Sequence, residues 1–166
     1  ETGELLHSGD LDDKELWKAR LLPDQWKVLL SDNRDKVAIY DLKKKRIIGD
    51  YKKSFSSSLH SRHVSPDGNY IGHLKNYKHV ILTPLKAGLD TITLEMDKAN
   101  SFQFSSDGKY VVIGSTKLFA NVFEAETGKE IAKLWFSEEH RCDGCNIEIA
   151  ISPDNKLVAT GTRSTN

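Results

Sequence analysis

The sharpest chemical signature on the chain is Cys142-Asp143-Gly144-Cys145, with His140 just ahead of it. Two thiols at this spacing can ligate zinc, but a tetrahedral site needs four ligands. The chain has only 2 cysteines, and His140 cannot complete the set alone. A redox pair of this spacing sits at a helix start beside a parallel sheet, and the residues around it do not read as such a setting. The plain reading is a tight polar turn that carries two thiols. A local disulfide or a shared metal is the alternative, which leaves Cys142 and Cys145 as weak metal candidates. No metal or cofactor is expected.

Other reactive residue types are equally sparse in pattern. His60 and His63 stand three apart on a strand-like run and so point to opposite faces, while His73 and His79 could face each other across a hairpin. Two histidines alone make a poor metal site. Asp10, Asp12 and Asp13 resemble the start of a calcium loop without its glycine and closing glutamate. Lys43-Lys44-Lys45-Arg46 has the composition of a localisation or phosphate-binding tract, but it falls at a hairpin tip, where solvated charge is ordinary. The serines around Phe55 read as a polar connector. No nucleophile elbow, phosphate-cradling loop or His-Glu-x-x-His helix is present. Nucleophilic and metal-assisted catalysis are therefore not expected of this chain.

What must position these residues is a repeat. One phrase recurs in register as Leu21-Leu22-Pro23-Asp24, Val64-Ser65-Pro66-Asp67-Gly68, Phe104-Ser105-Ser106-Asp107-Gly108 and Ile151-Ser152-Pro153-Asp154-Asn155. The intervals between its aspartates are 43, 40 and 47 residues, a period that marks a stacked-repeat architecture. Pro presets the first central position of a tight turn, Asp bonds its own backbone, and Gly tolerates a positive backbone dihedral.

Each turn joins two apolar runs, and two more follow. The first unit gives runs at 16–22, 26–30, 37–42 and 46–51, the second at 59–64, 70–74, 79–85 and 89–96, and the third at 101–104, 110–114, 118–124 and 129–136. A final pair lies at 146–151 and 157–162. Short runs rich in Val, Ile, Phe, Tyr and Leu between Gly, Pro, Asp and Asn read as antiparallel strands. Four strands per unit predict an all-β fold, a β-propeller of four-stranded blades. The expected division is an outer strand at 1–9, blades at 10–51, 52–96 and 97–136, and inner strands of a further blade at 137–166. That pattern reads as part of a longer protein with uncovered blade faces. Alternation expects Leu21, Val64, Phe104 and Ile151, with Ala19, Arg62, Phe102 and Ile149 two residues earlier, to form the blade-packing face.

Ser65-Pro66-Asp67-Gly68, Ile151-Ser152-Pro153-Asp154, Val37-Ala38-Ile39-Tyr40-Asp41 and the run from Asn121 to Lys129 resemble the WD-repeat family of β-propellers, and the likeness extends over essentially the whole chain. The Trp-Asp pair of that family is Tyr40-Asp41 in one unit, Phe123-Glu124 in another, and is replaced around Leu82-Thr83-Pro84 in the third. The resemblance implies a non-catalytic scaffold for protein–protein interaction. It also implies a binding rim from the loops between blades and between second and third strands, at about 52–58, 97–100 and 137–145 with 32–36, 75–78 and 115–117. On that rim the expected partner-binding residues are Arg34, Tyr77, His140 and Arg141, since Arg and aromatic side chains on held loops become interface hot spots.

Lys plus Arg and Asp plus Glu both number 24. This balance gives no bulk electrostatic case for nucleic acid or an anionic membrane, so any such contact would be local. The expected partner is a protein or peptide, with self-association through exposed edges. No run approaches the 18 or so apolar residues of a membrane span, and the expected compartment is the cytoplasm. The alternative function is the propeller domain of an enzyme or sensor, binding or gating a ligand while catalysis lies elsewhere. In that case polar groups would converge on the innermost strands, where Arg20, His63, Gln103 and Ala150 share a position.

Overall fold

The computed structural model describes residues 16–22, 25–32, 37–51, 62–117, 119–135 and 146–163. Its contacts divide the chain into two compact units, Glu1–Ser56 and Ser57–Asn166. The described part of the first unit is one antiparallel sheet of β1 (Leu16–Leu21), β2 (Lys27–Asp32), β3 (Val37–Asp41) and β4 (Arg46–Tyr51) in sequential order. In the second unit, β5 (Arg62–Val64), β6 (Tyr70–Lys75), β7 (His79–Pro84) and β8 (Ile92–Glu95) form a second such sheet. A third holds β9 (Ala99–Phe104), β10 (Tyr110–Ser115), β11 (Phe119–Glu124) and β12 (Glu130–Trp135), and β13 (Asn146–Ile151) pairs with β14 (Val158–Arg163). No helix occurs among the described residues, and none there is long and apolar enough to cross a membrane.

The recurring phrase builds the same turn four times. The backbone N–H of Leu22, Ser65, Ser105 and Ser152 donates to the carbonyl of Lys27, Tyr70, Tyr110 and Leu157 at 2.8–2.9 Å. Three residues further on, the N–H groups of Gln25, Gly68, Gly108 and Asn155 donate back to the carbonyls of Leu22, Ser65, Ser105 and Ser152, and all four donors have φ between 59° and 76°. In three of the turns a serine does work that its neighbours cannot. Ser105 Oγ donates to Asp107 Oδ1 at 2.7 Å and accepts the Tyr110 N–H at 2.9 Å, and Ser65 and Ser152 repeat both contacts. Asp67, Asp107 and Asp154 each accept a backbone N–H two residues on, as expected of a turn aspartate. In the first turn Leu22 stands where the others have serine; it is buried instead.

Packing between the second and third sheets supplies the core of the second unit. Phe102 and Phe104 of β9 meet edge to face with centroids 6.2 Å apart, and they lie over Gly72 of β6 so closely that a Cβ there would stand 2.6 Å from the Phe102 ring. Val80, Leu82, Leu94, Val111 and Ile113, each fully buried, belong to the same cluster. On the other side of β10, Ile147 and Ile149 of β13 close over Gly114.

The expected packing face holds fully only in β9. Leu21 is 53% exposed and Ala19 is exposed. Val64, Ile149 and Ile151 are half-buried, and the Arg62 side chain lies outside the described residues. The histidine pair also differs from expectation. His73 stands opposite Ile81 and His79 opposite Lys75, so the register keeps the two imidazoles two positions apart.

Candidate functional site

Three of the expected rim segments are described, and hydrogen bonds knit them together at one end of the second and third sheets. The Met96 N–H donates to the Lys78 carbonyl at 2.8 Å, tying the β6–β7 turn to the chain entering β9. Ser115 Oγ donates to the Asp97 carbonyl at 2.7 Å, and the Thr116 N–H donates to the Lys98 carbonyl at 3.1 Å. Lys117 pairs with the Asp97 carboxylate and holds that carboxyl below its ordinary range. The loop before β9 is thus fastened to the β10–β11 turn from two directions.

Tyr77 sits on this rim in an unusual backbone. The Lys75–Lys78 turn closes with a 3.1 Å hydrogen bond, and Asn76 and Tyr77 both have φ of 53°. A hairpin turn with two positive dihedrals favours Asn followed by Gly. Here a tyrosine takes the glycine position and is 70% exposed, so no burial offsets the steric cost of about 1–2 kcal/mol. Lys98, on the adjoining loop, is also exposed with φ of 55°. Tyr77 and Lys98 are therefore presented to solvent from hydrogen-bonded backbone in the left-handed region. Arg34, His140, Arg141, Cys142 and Cys145 lie outside the described residues. Among the described residues no cluster of three metal-ligating side chains occurs.

The opposite end of the same sheets presents a different chemistry. A cavity of about 250 Å³ lies among Asp67, Tyr70, Gly108, Tyr110, Glu124 and Glu126. Burial first, then the charges of Glu126, Asp67 and Asp90, push the Tyr70 hydroxyl pKa up. Asp67 is already engaged by Ser65 and Asn69, and Glu124 by Thr127. Those carboxylates serve the turns. In the first unit, Asp41 of the Tyr40-Asp41 pair does the same, accepting the Lys43 and Lys44 N–H groups at 2.9 Å, and these bonds hold its carboxyl below the usual range. The basic tract it supports is exposed throughout, with Lys43 Nζ 4.1 Å above the Trp26 ring.

A second cavity, of about 330 Å³, runs along the innermost strands of the second unit, between β5, β9 and β13. His63 and Gln103 line it, as their shared strand position anticipates, together with Ser101 and Glu148. Ala150 is exposed beyond it, and the Arg20 side chain is outside the described residues. Sequence reasoning missed Ser101 and Glu148. The signal was alternation: each lies on its strand two residues from an inner position already singled out.

No family model matches the chain, and no curated protein sequence matches it either. Among solved structures it is similar to Kluyveromyces lactis Hsv2, a yeast β-propeller, with a TM-score of 0.67 at 13% sequence identity. The likeness covers 90% of this chain and 47% of Hsv2, so the chain spans about half the length of that structure. At this identity it speaks to fold, and the fold it supports is the β-propeller.

Proposed function

We propose that this chain is a binding scaffold of the WD-repeat type, non-catalytic in itself, whose sheets act as propeller blades and whose rim engages a protein or peptide. The observation that carries the reading is Tyr77, an aromatic residue left 70% exposed on a turn that would be more stable with glycine. Strain of this kind persists where it serves a function. Lys98 extends the surface, and with Lys75, Lys78 and Lys117 around the Asp97 carboxylate the rim is mainly basic, which suits an acidic segment of a protein partner.

In this reading the three four-stranded sheets are whole blades and β13–β14 is the inner half of another. The experiment is affinity capture from extract with a protein containing the full chain, comparing wild type with Tyr77→Ala and Lys98→Ala, followed by titration of the purified partner. A specific protein partner whose Kd rises at least tenfold with Tyr77→Ala, at unchanged thermal stability, supports the rim. A partner indifferent to both substitutions, or turnover of a small molecule by the chain, overturns it.

A further inference from the structure

The rim end of the second unit does not stop at Tyr77 and Lys98. Antiparallel pairing carries it outward across the third sheet, because β11 begins at Phe119, just past Lys117, and Phe119 stands opposite Trp135 at the end of β12. Trp135 is 70% exposed, as Tyr77 is. It is held nevertheless. Its ring lies tilted against the buried Phe119 ring with centroids 5.4 Å apart, and Lys133 Nζ stands 4.4 Å from the Trp135 ring and 4.0 Å from that of Phe119. A braced side chain loses less freedom on binding than a loose one, and tryptophan is among the residues enriched at interface hot spots.

Charge follows the same line. Lys117 pairs with the Asp97 carboxylate, and Lys98 and Lys78 lie close enough to act on it as well. Among the described residues at this end of β6–β12, the lysines are Lys75, Lys78, Lys98, Lys117 and Lys133, and the acids are Glu95 and Asp97. The Lys117 and Asp97 side chains are 53% and 58% exposed, so their pairing is weak and the ammonium is free to exchange partners. Lysines beside exposed aromatic rings suit a ligand that brings carboxylates and apolar side chains together. Single-stranded nucleic acid also offers anions and flat apolar faces, but the equal numbers of basic and acidic residues in the chain give no long-range field to gather it.

We infer that this end is a docking surface for an acidic segment of a partner protein, whose carboxylates meet Lys78, Lys98, Lys117 and Lys133 and whose flanking apolar side chains cover Tyr77 and Trp135. The inference rests on the binding-scaffold reading above and goes beyond it by assigning Trp135 and Lys133 to the surface and a role to Asp97. A partner carboxylate takes Lys117 from Asp97, which makes Asp97 a built-in competitor.

The test uses the full chain labelled with ¹⁵N and three probes followed by NMR: the acetylated and amidated peptide Leu-Glu-Glu-Asp-Glu-Glu-Leu, the same peptide with Gln and Asn at its acidic positions, and an oligouridylate of matching charge. The expected result is saturable shifts of the Trp135 indole N–H and the Lys98 and Thr116 amides with the acidic peptide, and binding about tenfold weaker for the neutral one. Lys117→Glu and Trp135→Ala, both at exposed positions, should each weaken the acidic peptide about fivefold, while Asp97→Asn should tighten it about twofold. Equal binding of the two peptides, an unmoved Trp135 indole, weaker binding after Asp97→Asn, oligouridylate binding as tightly as the acidic peptide, or no shift at all would each overturn the inference. A protein partner captured through Tyr77 but indifferent to Lys117→Glu and Trp135→Ala also overturns it and leaves the scaffold reading standing. Acidic-peptide binding lost in Lys117→Glu yet untouched by Tyr77→Ala supports this surface and counts against Tyr77 as its anchor.

Discussion

The two ends of β6 and β10 teach different lessons although the same strands connect them. At one end, the Ser65–Asn69 and Ser105–Lys109 turns direct serine and aspartate side chains back onto their own backbone and place glycine where φ is positive. At the other, Asn76, Tyr77 and Lys98 hold positive φ without glycine, and Tyr77 and Lys98 project into solvent. The first end has spent its polar groups on architecture and relaxed its backbone. The second keeps strain and leaves its side chains available. At the Lys75–Lys78 turn, where a large aromatic residue takes the position that glycine favours and gains no burial, binding is the physical explanation to test first.

The largest break in this comparison comes from the architectural end. Phe104 is 6% exposed at the foot of the Ser105 turn, and Phe104→Ala should cost about 3 to 5 kcal/mol in urea unfolding through cavity formation. Gly108→Ala comes next, at about 1 to 3 kcal/mol. Its φ is 76°, and a new Cβ would stand 2.8 Å from Asp67 Cγ, so backbone and neighbour both resist. Tyr77→Gly should move stability the other way, gaining about 0.5 to 1 kcal/mol from relief of strain, while partner binding falls. A loss of stability in that variant would place Tyr77 among the architectural residues and dissolve the contrast.

The smallest effect is a titration. The Ser105 hydroxyl and the Lys109 N–H hold the Asp107 carboxyl below its ordinary 3.8, and Ser152 and Lys156 do the same for Asp154. With the folded-state value below the unfolded one, these aspartates contribute fully above about pH 4. The contribution fades as pH falls through the folded-state value. Urea midpoints at pH 5 and pH 3 should therefore differ more for wild type than for the Asp107→Asn, Asp154→Asn double variant. An identical pH dependence in both would remove the turn aspartates as its source.

Strands and turns were readable in advance because their signals are local. An alternating apolar run and an aspartate every 40 to 47 residues specify pairing without knowledge of what covers the sheet. The serine of the turn was equally available, since Ser65, Ser105 and Ser152 share one register position, but Leu22 interrupts that series and draws attention to the aspartate instead. Burial was less accessible. Leu21 and Phe104 occupy one repeat position, yet one is 53% exposed and the other 6%, so residue type and repeat register alone do not set burial. Tyr77 was chosen for its residue type, whereas its backbone strain becomes visible only from φ. The Ser101 and Gln103 cavity depends on three strands distant in sequence, a juxtaposition that no single window contains.

Ser106 lies at the outer bend of its turn and reaches into the next one: its N–H and Oγ donate to Asn155 Oδ1 at 2.8 and 2.9 Å, and its Oγ lies 2.7 Å from the Pro153 carbonyl. Repeat proteins unfold as chains of units linked by nearest-neighbour terms, and these contacts are such a term. The two-stranded β13–β14 hairpin, too small to be stable by itself, therefore melts with the third sheet, and amide exchange in Ile147 and Ile149 should report the opening of β9–β12.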